Sequence, residues 1–85
     1  MLASHLRNRI AVDASAPLVD LGPETTALVQ AYADDVLAGR RSRRFRDITA
    51  FLTAAAMAGR LTAKRPGPLV FQRWVTAALA MRASS

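Results

Sequence analysis

The sequence predicts an all-α fold, a compact three-helix bundle with room for a short fourth helix at its N-terminus. Three observations carry this expectation. Alanine, the strongest helix former, occurs 18 times in 85 residues. Val, Ile and Thr nowhere alternate with polar residues over a window that would make a half-buried strand. Glycine and proline divide the chain into stretches whose apolar residues recur at helical spacing.

The first helix starts at Gly22-Pro23-Glu24. Glycine is tolerated at a cap, proline suits the first position, and a glutamate there faces the positive end of the helix. The helix is expected from Pro23 to Ala38, closed by Gly39 as a left-handed C-cap. At 100° per residue, Leu21, Thr25, Leu28, Val29, Tyr32 and Val36 share one face, with Gln30 and Asp34 opposite. The second helix is expected from Ser42, as N-cap, to Ala58, with Gly59 behind it. Its buried stripe is Phe45, Ile48, Phe51, Leu52 and Ala55. The third repeats the Gly-Pro start at Gly67-Pro68 and runs to Arg82. Phe71, Trp74, Val75, Ala78, Leu79 and Met81 give it the widest apolar face, with Val70 at its margin. Leu2, Leu6 and Ile10 are spaced for the short fourth helix over residues 2–11, and residues 13–21 read as an extended connector. With alanines supplying little area, Tyr32, Phe45, Phe51, Phe71 and Trp74 are all assigned to the core. No internal repeat stands out.

Length and composition bound the rest. Eighty-five residues make one domain, since single domains typically run to about 100–150 residues. A hydrophobic fraction of 52% excludes a disordered basic tail. No apolar run approaches the ~20 residues of a spanning helix, so no membrane partner is expected. Arg7 and Arg9 are not followed by the apolar stretch of a secretory signal, so the expected compartment is cytoplasmic. With no cysteine there is neither a disulfide nor a Cys-based zinc site.

The net charge of +6 is unevenly placed. Up to Gly39, two arginines face five carboxylates, a net of −3; beyond it, ten cations face Asp47 alone, a net of +9. Arg40, Arg41, Arg43, Arg44 and Arg46 surround the start of the second helix, and Arg60, Lys64 and Arg65 occupy the loop before the third. Cations at a helix N-terminus oppose its dipole at about 0.3–1 kcal/mol each, and an anion seated there reverses the penalty. The competing reading is self-pairing: Arg40 and Arg41 follow the first helix's C-terminus, within reach of Asp34 or Asp35. In an up-down bundle the two clusters lie at opposite ends of the second helix, so an extended anion is needed to touch both. Arg46 and Arg73 are the side chains that could bridge them.

A helix-turn-helix is the motif to test. The Gly39-Arg40-Arg41 link is short, and Ser42, Arg43, Arg46 and Asp47 would face bases while Arg40, Arg41 and Arg44 held phosphates. Asp34 and Asp35 stand where that motif packs a small apolar residue, and Ala50, Thr53, Ala54 and Met57 are poor material for reading sequence. Catalysis lacks parts: His5 is the one histidine, Asp34 and Asp35 diverge by about 100° on a helix, and no glycine-rich phosphate loop occurs. No cofactor, metal or small-molecule substrate is expected.

The function expected is therefore non-enzymatic: nucleic-acid binding, mainly to the phosphate backbone, through Arg40, Arg41, Ser42, Arg43, Arg44, Arg46, Arg60, Lys64, Arg65 and Arg73. The alternative is a protein-binding inhibitor or adaptor of phage or mobile-element type, anti-CRISPR-like for example, using the same arginines on an acidic or nucleic-acid-binding surface of a partner protein. The third helix's apolar face also suits a homodimer or a larger assembly.

Overall fold

The computed structural model describes residues 16–84. A short 3-10 turn (Ala16–Leu18) leads into α1 (Gly22–Leu37), α2 (Phe45–Met57) and α3 (Pro68–Ser84). Among the described residues there is no strand, as the all-α expectation requires. Both α1 and α2 pack on α3, which also carries the 3-10 turn, so α3 is the hub of the bundle.

One apolar cluster holds the elements together. Leu28, Val29, Tyr32 and Ala33 enter it from α1, and Ile48, Phe51, Leu52 and Ala55 from α2. Phe71, Val75 and Ala78 come from α3, and Leu61 from the loop between the second and third helices. Tyr32 meets Phe51 and Phe71 edge-on, with centroids 5.0 and 5.6 Å apart, and Trp74 closes on Phe71 at 6.1 Å. Such edge-to-face pairs add about 0.5–1.5 kcal/mol each to area burial, which matters in a core of this small size. The Tyr32 hydroxyl leaves the apolar cluster and donates to the Ser42 carbonyl oxygen at 2.5 Å. Burial pushes its pKa above the ordinary tyrosine value, so it remains a donor.

Both of the first two helices end in the same turn. Gly39 and Gly59 adopt φ of 76° and 74°. The Arg40 N–H bonds the Asp35 carbonyl and the Gly39 N–H that of Val36; Arg60 to Ala55 and Gly59 to Ala56 repeat the pattern. These are Schellman caps, whose left-handed residue costs glycine nothing. The local sequences are Leu37-Ala38-Gly39-Arg40 and Met57-Ala58-Gly59-Arg60, a repeat too short to stand out in the sequence.

Four expectations need correction. The second helix begins at Phe45 instead of Ser42, because Ser42 is occupied ahead of it. Its N–H and hydroxyl donate to Asp47 Oδ2 at 2.9 and 2.7 Å, while its Oγ accepts from the Arg44 N–H. Arg44 is thereby held extended as the N-cap residue, at φ −73° and ψ 148°. Phe45, assigned to the core, is 47% exposed. Side chains of a helix lean toward its N-terminus, so a ring at the first position overhangs the end of the bundle. Met81, assigned to the apolar face of α3, is exposed, and Trp74 and Leu79 are half-buried. In the supposed extended connector, residues 16–18 form the 3-10 turn and Asp20 is left-handed, with Leu18 and Leu21 resting on the core. The fourth helix at residues 2–11 lies outside the described residues.

Candidate nucleic-acid interface

The ten residues singled out from the sequence divide by what they touch. Arg40 and Arg41 are both held by Asp35. Arg40 Nε reaches Oδ1 at 2.9 Å and Arg41 Nε reaches Oδ2 at 3.0 Å. Arg41 is half-buried, and its guanidinium lies 5.0 Å from the Phe51 ring centroid and 5.9 Å from that of Tyr32. A cation over two aromatic faces and paired with a carboxylate acts as part of the fold. The hydrogen bonds from Arg40 and Arg41 hold the Asp35 carboxyl below its ordinary pKa. Asp47 is lowered in the same way, first by the Ser42 hydroxyl and then by the Ser42 N–H, with Arg41 and Arg44 nearby. For Arg40 and Arg41 the self-paired reading therefore holds, and Ser42 spends its hydroxyl on Asp47.

The rest are arranged differently. Arg43, Arg44 and Arg46 are exposed around the start of α2, and their side chains make no hydrogen bond or ion pair with any described residue. The N-terminus of α2 has no side-chain cap, since Asp47 is turned back to Ser42. Gln72 Nε2 donates to the Arg43 carbonyl oxygen at 2.8 Å. That bond brings the first turns of α3 against the residues that lead into α2, and the exposed Arg73 follows Gln72 directly. Three cations are thus gathered at one end of α2, with Arg73 one residue beyond the Gln72 contact.

The second cluster is spread out. Arg65 Nη1 donates to Thr53 Oγ1 at 3.2 Å, so the loop returns along α2 instead of leaving from its far end. Thr62 and Ala63 are held on the other side by Glu24 of α1, which accepts from both N–H groups and from the Thr62 hydroxyl at 3.0–3.3 Å. Those bonds, the Thr62 N–H first, draw the Glu24 carboxyl below its ordinary pKa. Arg60 and Lys64 are exposed without a side-chain partner among the described residues, and they stay with the C-terminal half of α2. The length of α2, 13 residues or about 20 Å, separates Arg60 from Arg43.

Three participants escape a reading of the sequence. Glu24 reads there as a dipole partner for its own helix and Phe45 as core, while Gln72 is given no role. Only Phe45 carries a local signal, its place between Arg44 and Arg46. The bonds of Glu24 and Gln72 span 38 and 29 residues, beyond any local pattern. Comparison of the chain with family models, curated proteins and solved structures finds no match.

Proposed function

We propose that this protein binds nucleic acid through the phosphate backbone at the N-terminal end of α2. The observation that carries the reading is that Arg43, Arg44 and Arg46 crowd an uncapped helix N-terminus without ion-pair partners among the described residues. Such an end already presents N–H groups to an anion. Three cations there raise the energy of the unliganded state, and a phosphate removes that cost while using the N–H groups. Arg73 extends the patch from α3.

Titration of duplex and single-stranded oligonucleotides across a salt series tests this. About four phosphate contacts give a slope of log K against log salt near −3 to −4 on duplex. Replacing Arg43, Arg44 and Arg46 together by Ala should flatten the slope by about 3 units and abolish tight binding. Absence of binding at about 50 mM salt, where even non-specific contacts survive, defeats the proposal.

A second reading, docking of the same arginines on an acidic protein surface, is favoured by one feature. Leu69 and Val70 are 48% and 43% exposed on the turn of α3 that precedes Arg73. Apolar side chains beside a cation suit a protein contact better than a phosphate contact. Leu69→Ser with Val70→Ser separates the two, since nucleic-acid binding should survive it.

A further inference from the structure

We infer that Phe45 is a base-stacking residue and that the ligand is a single strand, DNA or RNA, with at least one unstacked base. This inference rests on the proposed phosphate binding and goes beyond it, because phosphate contacts alone do not distinguish strands.

The other aromatic side chains account for themselves. Tyr32, Phe51, Phe71 and Trp74 form one network of ring pairs at 5.0–6.1 Å, and Phe45 belongs to none of them. It is 47% exposed in a chain with little aromatic surface to spare. Its position is set by the chain. Asp47 draws back onto Ser42, Arg44 becomes the extended N-cap, and Phe45 falls at the first helical position, exposed to solvent. Arg44 and Arg46 flank it in sequence, with Arg43 one residue further back, and all three are exposed.

An aromatic face between cations that no described carboxylate holds is the chemistry that takes a base on the ring and its neighbouring phosphates on the guanidinium groups. Stacked bases inside a duplex offer no free face, so an exposed ring at a helix start gains nothing from a duplex. A single strand presents that face at every residue. Stacking tolerates any base, so the preference expected is for strandedness and not for sequence.

The test compares wild type, Phe45→Ala, Phe45→Leu and Phe45→Trp on a single-stranded oligonucleotide and its duplex, with the salt slope measured for each. Circular dichroism melts confirm that each variant is folded. Phe45→Ala and Phe45→Leu should both weaken single-strand binding by about 10- to 100-fold while leaving duplex affinity and the slope unchanged. Phe45→Trp should bind the single strand at least as tightly as wild type. Joined with Trp74→Phe, it should show indole quenching as the strand is added. Equal losses on single strand and duplex, an unchanged single-strand affinity in Phe45→Ala, or a Phe45→Leu that behaves as wild type would each overturn the stacking role. Wild type that binds neither form removes the phosphate proposal as well, whereas wild type that binds both with Phe45→Ala unaltered removes the stacking alone.

Discussion

The two inter-helix junctions start from the same turn and end differently. After Gly39 the chain is caught at once by near neighbours: Asp35 grips Arg40 and Arg41, and Asp47 grips Ser42, all within six residues. After Gly59 the nearest equivalent of Asp35 is Ala55, and the chain runs on until Glu24 of α1 stops it at Thr62 and Ala63. The first junction is therefore short and leaves Arg43, Arg44 and Arg46 projecting from a fixed base. The second is longer, carries Leu61 into the core, and lays Arg65 along α2. Identical caps decide only that a helix stops. The placing of carboxylates decides where the chain goes next and which cations remain available to a partner.

Breaking the second junction should cost the most. Leu61 is its one side chain in the core, and Leu61→Ala should destabilise by about 2–4 kcal/mol in a denaturant titration, from lost burial and a residual cavity. The first junction has no aliphatic counterpart; its links to the core are the Tyr32 hydroxyl on the Ser42 carbonyl and the Arg41 guanidinium over the Phe51 and Tyr32 rings. Tyr32→Phe should cost about 1 kcal/mol in the same titration and loosen the base on which Arg43 and Arg44 stand. Gly39→Ala and Gly59→Ala sharpen the comparison by their equality. A Cβ meets open space at both, so each should lose about 1 kcal/mol for the left-handed backbone alone. Unequal values would show that the two turns themselves differ, and not only the carboxylates that receive the chain after each.

The smallest effect is the dependence on pH. The carboxyls of Asp35, Asp47 and Glu24 are all lowered by hydrogen bonds that their charged forms accept. Their contribution is present above the unfolded carboxylate pKa of about 4 and is lost as pH falls through the lower folded values. Thermal melts should therefore shift down below about pH 4. Asp35→Asn together with Asp47→Asn should remove the part belonging to the first junction and Glu24→Gln the part belonging to the second. In Glu24→Gln, hydrogen exchange should quicken at Thr62 and Ala63 while Arg40 and Arg41 stay unchanged, since the two grips share no residue.

Much of the fold is legible in the sequence because it is locally encoded. Gly-Pro starts and Gly ends place α1 and α3 within two residues of where they lie, and apolar spacing finds Leu28, Val29, Tyr32, Ile48, Phe51, Leu52, Phe71 and Val75. The candidate site is legible in part. Clustering of Arg43, Arg44 and Arg46 is visible in the sequence, and so is the pairing of Arg40 and Arg41 with an aspartate one turn earlier. The Ser42 cap fails because two local rules compete there. A serine ahead of a helix can cap it, or it can be drawn back by an aspartate five residues on, and propensity does not rank the two.

What the sequence by itself determined is where each helix can stop, which faces are apolar, and that positive charge comes after Gly39. Those depend on backbone stereochemistry and side-chain spacing, which act over a few residues. Only the tertiary structure decided how the second cluster is held, because Glu24 meets Thr62 and Ala63, and Arg65 meets Thr53, only once the helices have packed. It also decided that Phe45 would face solvent. Its spacing matches the buried stripe, but no ring of the core pairs with it, and burial requires a neighbour as well as a face.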